Sequence, residues 1–260
     1  MDKKEYNFGE FIEFSIQKRF ALIRLNRIKR ANALTLEMLQ DLKKAIVYCQ
    51  ESDKIRGLIL TGNGNTFTTG MDLAFIDASN HSEVLAYEKV AADIANLMYS
   101  GKPIVCAING RAMGDGVAYA LCSDYRITVK DSFFLMPEIK SGIFPGAATI
   151  VLMTKILGIS WTKKILIFAE KIDSQTALEI GLVDQIVDYD DLIELALRKA
   201  KFLSTKNQIV LNGIKLCSNY LLDKSYIAAH KLEKEFLTAW VKSKDKPQFL
   251  NEFREKIINL

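Results

Sequence analysis

From Phe11 to Val187, short apolar runs alternate with longer stretches whose apolar positions recur at helical spacing. The runs predict antiparallel strands over Phe11–Phe14 and Phe20–Leu25, on either side of the polar break Gln17-Lys18-Arg19. Further strands are predicted over Arg56–Gly62, Ile104–Ile108, Tyr125–Val129 and Gln185–Val187. Between them Thr35 caps a helix with Leu39, Leu42, Ile46 and Cys49 on its apolar face, Val84–Met98 forms a long helix, and a shorter one runs from Val117 through Leu121. Gly146–Leu157 and Trp161–Phe168 read as helices with Gly158 as the stop between them, and another opens at Ser174 and ends at Gly181. Beyond Asp190 the pattern is helical almost throughout, over about Asp191–Leu203, Gln208–Leu222, Tyr226–Val241 and Phe249–Ile257. Strands alternating with helices, then helices alone, predict an α/β fold with a helical tail able to pack against a neighbouring subunit. Lys215, Lys224, Lys231, Lys234, Lys242, Lys244 and Lys246 fall on or near the polar faces of that tail and read as solvated.

Two turns interrupt the alternation in the same way. Gly62-Asn63-Gly64-Asn65-Thr66-Phe67-Thr68-Thr69-Gly70-Met71-Asp72 follows one buried strand and leads to a short helix near whose start Asp72 can sit; a plain surface turn is the alternative. Arg111-Ala112-Met113-Gly114-Asp115-Gly116 follows the next buried strand and leads into the helix through Leu121. Neither has the glycine and lysine spacing of a phosphate-cradling loop. Placed between strand and helix, each offers a backbone N–H, those of Met71 and Asp115, to one carbonyl oxygen, an arrangement suited to enolate-forming chemistry. Glu138 follows Phe133-Phe134-Leu135-Met136-Pro137, and a carboxylate in such apolar company is a candidate acid or base. The competing reading of Glu138 is a buried salt bridge with Lys140 or Arg111.

Composition narrows the choice. Of 260 residues, 49% are hydrophobic and 25% charged, an ordinary globular balance, and the net charge of +4 is too small to argue for nucleic acid, though it suits an anionic small molecule. The charged start and the lack of any run of membrane-spanning length lead us to expect no membrane and a cytoplasmic location. The four cysteines, Cys49, Cys106, Cys122 and Cys217, are far apart inside apolar patterns, so they read as buried thiols. Of the two histidines, His81 lies in a polar, loop-like stretch and His230 on a helix beside Lys231; neither fits a metal site or a catalytic triad.

The motifs together resemble the enoyl-CoA hydratase/isomerase, or crotonase, superfamily over nearly the whole chain. The resemblance rests on Leu25-Asn26-Arg27, Asn32-Ala33-Leu34, Gly70-Met71-Asp72-Leu73, Lys102-Pro103-Ile104 through Asn109-Gly110, Gly114-Asp115-Gly116, Asp124-Tyr125-Arg126-Ile127, Pro137-Glu138 with Gly142 and Pro145-Gly146, and Ala177-Leu178-Glu179-Ile180-Gly181-Leu182-Val183. It implies a crotonase-like spiral of ββα units over residues 1–200, a C-terminal helical trimerisation segment over 201–260, and trimers often paired into hexamers. It also implies a CoA thioester substrate, its carbonyl held by the Met71 and Asp115 amides, with Arg27, Lys29, Arg30, Ala33, Gly70, Asp72, Leu73 and Gly114 around it, and neither a metal nor a redox cofactor. The Arg27–Arg30 loop is where the family tends to meet the CoA nucleotide; a solvated loop is the alternative.

Three departures matter. The hydratases of the family carry a glutamate two residues after the Gly-x-Gly turn, where this chain has Ala118, and losing one of two water-handling carboxylates weakens hydration. Position 146, where some isomerases of the family place a further carboxylate, is Gly146, which leaves Glu138 alone. The middle residue of the turn, commonly glycine, is Asp115; its N–H survives, and a catalytic part for its side chain or for Tyr119 stays open. The resemblance therefore implies an isomerase that converts 3-enoyl-CoA to 2-enoyl-CoA with Glu138 as proton shuttle. Enoyl-CoA hydration, other acyl-CoA chemistry and non-catalytic acyl-CoA binding are the alternatives.

Overall fold

The computed structural model describes residues 6–141 and 143–220. In chain order the first half contains β1 (Ile12–Gln17), β2 (Phe20–Leu25), α1 (Leu36–Glu51), β3 (Gly57–Gly62), β4 (Thr66–Thr68), α2 (Leu73–Ala78), α3 (His81–Ser100) and β5 (Ile104–Ile108). The second half adds β6 (Arg111–Met113), α4 (Asp115–Leu121), β7 (Tyr125–Val129), β8 (Phe133–Leu135), α5 (Thr149–Ile167), β9 (Ile172–Asp173), α6 (Ser174–Glu179), β10 (Gln185–Val187), α7 (Leu192–Ser204) and α8 (Gln208–Tyr220).

Six strands form one sheet in the order β1-β2-β3-β5-β7-β10, antiparallel at β1/β2 and parallel beyond. The short strands make a second sheet, β4-β6-β8-β9. Each turn of the spiral thus lays one strand in the large sheet, one in the small sheet and then a helix: β3-β4-α2, β5-β6-α4, β7-β8-α5. Strand β5 explains why the large-sheet runs are apolar throughout. Ile104, Cys106 and Ile108 face one core with α1 and α3, while Val105 and Ala107 face a second core closed by Leu192, Leu195, Ala196 and Ala200 of α7.

Local signals place the elements well. Thr35 Oγ1 accepts the Met38 N–H at 3.2 Å, and Leu39, Leu42, Ile46 and Cys49 are all buried. The first hairpin differs from expectation, because β1 runs to Gln17 and the break shrinks to Lys18-Arg19, with Lys18 at φ 60° making the turn. α5 starts at Thr149 rather than Gly146, since Ala147 and Ala148 adopt left-handed φ of 50° and 57°. Gly158 breaks α5 at φ 79° and ψ 162°, where the stop was expected. His81 is not in a loop but opens α3 behind the Asn80–Glu83 capping box. Cys49, Cys106 and Cys122 are buried free thiols whose pKa burial pushes up to about 12. No helix among the described residues is long and apolar enough to cross a membrane.

Lys215 departs from the solvated reading given to it with the other tail lysines. Its side chain is 4% exposed, and its Nζ donates to Asp124 Oδ2 at 2.6 Å and to the Met98 carbonyl at 2.7 Å. The same Asp124 oxygen accepts the Ile104 N–H at 2.7 Å, so α8 is fastened to the start of β5 and the end of α3. The expected helices Tyr226–Val241 and Phe249–Ile257, with the other tail lysines and His230, lie outside the described residues. Removing one member of a buried pair strands the other. Lys215→Met should lower stability by about 2 kcal/mol, read as a lower urea midpoint at unchanged m-value, and Asp124→Asn in the Lys215→Met background should recover part of it.

Candidate active site

The two turns meet because glycine lets them. At Gly70, with φ 74°, an added Cβ would lie 2.9 Å from the Met113 carbonyl oxygen, 3.2 Å from the Asp115 nitrogen and 3.3 Å from Gly114 Cα. Backbone therefore packs on backbone, and Met71 and Asp115 become neighbours across the gap. Leu34 bridges the first turn, its N–H donating to the Gly70 carbonyl at 2.8 Å and its carbonyl accepting the Asp72 N–H at 3.0 Å. Alternation along the extended chain turns the Met71 N–H to the opposite side. Asp115 is the first residue of α4, so its N–H is among those the helix leaves without an internal partner.

Asn32 holds the surrounding loops. Fully buried at φ 54°, it accepts the Arg27 N–H at 2.8 Å and donates to the Thr66 and Asn63 carbonyls at 2.8 and 3.0 Å. Arg27 itself does not line the cavity. Its guanidinium donates to Asp72 Oδ2 at 2.5 Å and to the Ala33 carbonyl at 3.0 Å, with Phe11 beneath it. Burial pushes the Asp72 carboxyl up, but the Arg27 hydrogen bond, the Ala74 N–H and the charges of Arg27 and Arg30 outweigh it and hold the group below its usual range. Arg27 and Asp72 thus brace the wall, while Lys29 and Arg30 stand at the cavity with Ala33, Met71, Leu73, Gly114 and Asp115.

That cavity measures about 450 Å³, the size of a small-molecule site. Glu138 enters it from the turn after β8, and Oε1 lies 3.1 Å from where a Cβ on Gly114, at φ 52°, would be. Its Oε2 is buried without a hydrogen-bond partner, and Arg111, one of the two expected cations, instead directs Nε to Thr66 Oγ1 at 2.8 Å. Burial pushes the Glu138 pKa up to about 7; its own backbone N–H opposes the shift and the Asp115 charge adds to it.

The Asp115 side chain has a partner: Tyr87 Oη of α3 donates to Oδ2 at 2.7 Å, clipping α3 to the first turn of α4. Burial raises the Asp115 pKa and the Tyr87 hydrogen bond opposes that. Tyr119 is fully buried, and its hydroxyl has no hydrogen-bond partner. Next to Tyr87, Glu88 reaches the cavity, which pattern reading of the sequence passes over. Its pKa is raised to about 7 by burial, then by the charges of Asp115 and Glu138. The only hint in sequence is its place beside the buried stripe Tyr87, Ala91, Ile94, Ala95 and Met98. Among the described residues, no group of three or more His, Cys, Asp or Glu is placed to hold a metal ion.

The two turns thus bring Met71 and Asp115 to one cavity with two carboxylates, Glu88 and Glu138, whose proton affinity burial raises toward neutrality. The model of the family described as enoyl-CoA hydratase/isomerase matches residues 15–258, and the chain belongs to that family. It is 27% identical over 242 residues to the crotonyl-CoA hydratase of Syntrophomonas wolfei, covering 92% of this chain and 93% of that one. It is 28% identical over 255 residues to the 1,2-epoxyphenylacetyl-CoA isomerase of Escherichia coli, covering 95% and 96%. Among solved structures, the enoyl-CoA hydratase of Bacillus anthracis superposes with a TM-score of 0.87 at 26% identity, covering 95% of this chain and 97% of that one. The ββα spiral is therefore the crotonase architecture.

Two carboxyls held near pH 7 leave a thermodynamic signature. An unfolded glutamate titrates near 4.5, so from about pH 4.5 to about 7 the folded state keeps protons that the unfolded state has released. Stability should fall as pH rises through that window and level off above it. Glu138→Gln should flatten the fall and raise stability at pH 8 by on the order of 1 kcal/mol, discounted for the solvent that reaches the group, as read by denaturation from pH 4.5 to 8.

Proposed function

We propose that the protein is an acyl-CoA double-bond isomerase that converts a 3-enoyl-CoA to the conjugated 2-enoyl-CoA. The observation that carries this reading is the pairing of Glu138, its Oε2 buried and unpartnered at the cavity, with Ala118, buried in the core where a hydratase of this family places a second carboxylate. In this reading the thioester oxygen sits between the Met71 and Asp115 amides, which polarise the carbonyl and make the C2 proton acidic. Glu138, adjacent to Gly114, takes that proton; the enolate extends into the double bond, and a proton is returned at C4. Preorganised amides stabilise the developing oxyanion without reorganisation, a contribution that is usually the largest single one in enolate-forming catalysis. Lys29 and Arg30 at the mouth suit the phosphates of the CoA nucleotide, and the 201–260 segment is assigned to trimer or hexamer assembly.

Hydration is the second reading, and Glu88 is the observation that favours it, because a second carboxylate in the cavity restores a pair able to hold water. Absorbance of the conjugated thioester separates the two. It should rise when the protein is given a 3-enoyl-CoA, and Glu138→Gln should lower kcat by about a thousandfold with little change in KM. A fall in absorbance with a 2-enoyl-CoA, without a rise from the 3-enoyl isomer, would make the protein a hydratase. Thioester binding with turnover indifferent to Glu138→Gln would leave neither reading standing.

A further inference from the structure

An allylic shift takes a proton from C2 and delivers one to C4, and a single carboxylate must swing between the two carbons to do both. The cavity offers a second group. Glu88 reaches it from α3, and its Oε2 lies 2.0 Å from the point a Cβ on Gly146 would occupy, so a side chain at position 146 would require the end of the Glu88 side chain to move from its present place. Next to Gly146, Ala147 and Ala148 are both in the left-handed region, at a cost of about 1 kcal/mol or more each. One residue earlier, Tyr87 is tied by its hydrogen bond to Asp115, which fastens this part of α3 to the start of α4. Among the described residues, no ion pair or hydrogen bond engages the Glu88 carboxylate, which leaves it available at the cavity.

The two carboxylates also stand in different places along the cavity. Glu138 abuts Gly114, beside the Asp115 amide that marks the thioester carbonyl, whereas Glu88 abuts Gly146, in the segment with Ile143 and Phe144 that lines the apolar side. We propose that Glu88 is a second catalytic residue, an acid that protonates C4 while Glu138 deprotonates C2. This rests on the isomerase reading. Glu138 gains the C2 proton as the C2–H bond breaks, and the electron pair delocalises to the thioester oxygen. The pair then returns through the chain to form the C4–H bond with the Glu88 proton. Turnover leaves Glu138 neutral and Glu88 anionic, and exchange with water after product release restores both. The Glu138 charge raises the proton affinity of Glu88, in keeping with Glu88 being neutral while Glu138 is charged.

A substrate labelled at C2 with deuterium, 3-hexenoyl-CoA, distinguishes the mechanisms in ordinary water. With two carboxylates the C2 deuterium is lost to solvent and C4 of the product carries a solvent proton; one swinging carboxylate carries part of the label from C2 to C4. The expected result is wild-type product without label at C4. Glu88→Gln should lower kcat by about tenfold or more with KM within about threefold, its residual turnover now transferring label to C4. Label at C4 in the wild-type product, or a Glu88→Gln variant within about twofold of wild type, overturns the role of Glu88 and leaves the isomerase reading intact. Wild-type protein that leaves 3-hexenoyl-CoA unchanged overturns the isomerase reading and this inference with it.

Discussion

The contact on which the site depends is the backbone packing of the Gly70 turn against the Gly114 turn. With 3.2 Å between a would-be Cβ at Gly70 and the Asp115 nitrogen, no other residue fits without pushing the turns apart. The positive φ at Gly70 adds strain for any side chain that tries. The large sheet sets this distance. β3 and β5 are adjacent and parallel, so the segments that leave their C-terminal ends, through β4 and β6, arrive side by side at the same edge. Two amides can then face one point in space, although they are more than forty residues apart in the chain.

The polar arrangement around that contact is costly, and the fold concentrates the cost in one place. Glu88, Asp115 and Glu138 are like-charged groups in one neighbourhood, each raised by burial. Tyr87 supplies Asp115 with a donor and Arg27 is committed to Asp72, while among the described residues no ion pair engages Glu88, Asp115 or Glu138. A guanidinium on Glu138 would lower its proton affinity, so holding the Arg27 guanidinium on Asp72 leaves the Glu138 carboxyl raised. The two extensive cores offset the expense.

Much of the fold was legible because its cause is local. Runs such as Ile104–Ile108 are buried on both faces and announce themselves, and Thr35 before a helical face is a cap by its chemistry. The second sheet was not legible, since its strands are two or three residues long and pattern needs more than that to distinguish a strand from a turn. Lys215 misled for the related reason that an ammonium at a helix face looks the same in sequence whether it meets water or Asp124. In the site, the Met71 and Asp115 turns and Glu138 could be found because each sits in a motif of unusual composition. Glu88 sits in an ordinary amphipathic helix, and only the Tyr87–Asp115 bond and the bare backbone at Gly146 give it a place.

Gly146 is therefore best understood as one half of a pair. Considered along the chain, a glycine there is the loss of a carboxylate, and with Ala118 it leaves Glu138 alone. In three dimensions the space a side chain at 146 would fill is already taken by the Glu88 carboxylate, fifty-eight positions earlier in the chain. A proton carrier is defined by where its oxygen stands relative to the reacting carbon, and under the role proposed for Glu88, helix α3 supplies from one side of the cavity what a side chain at 146 would supply from the other. A carboxylate at 146 would displace the Glu88 carboxylate from its present place, and two carboxylates that close would raise one another's proton affinity. Counting carboxylates at motif positions undercounts this cavity, since the constraint that selects them acts on positions in space.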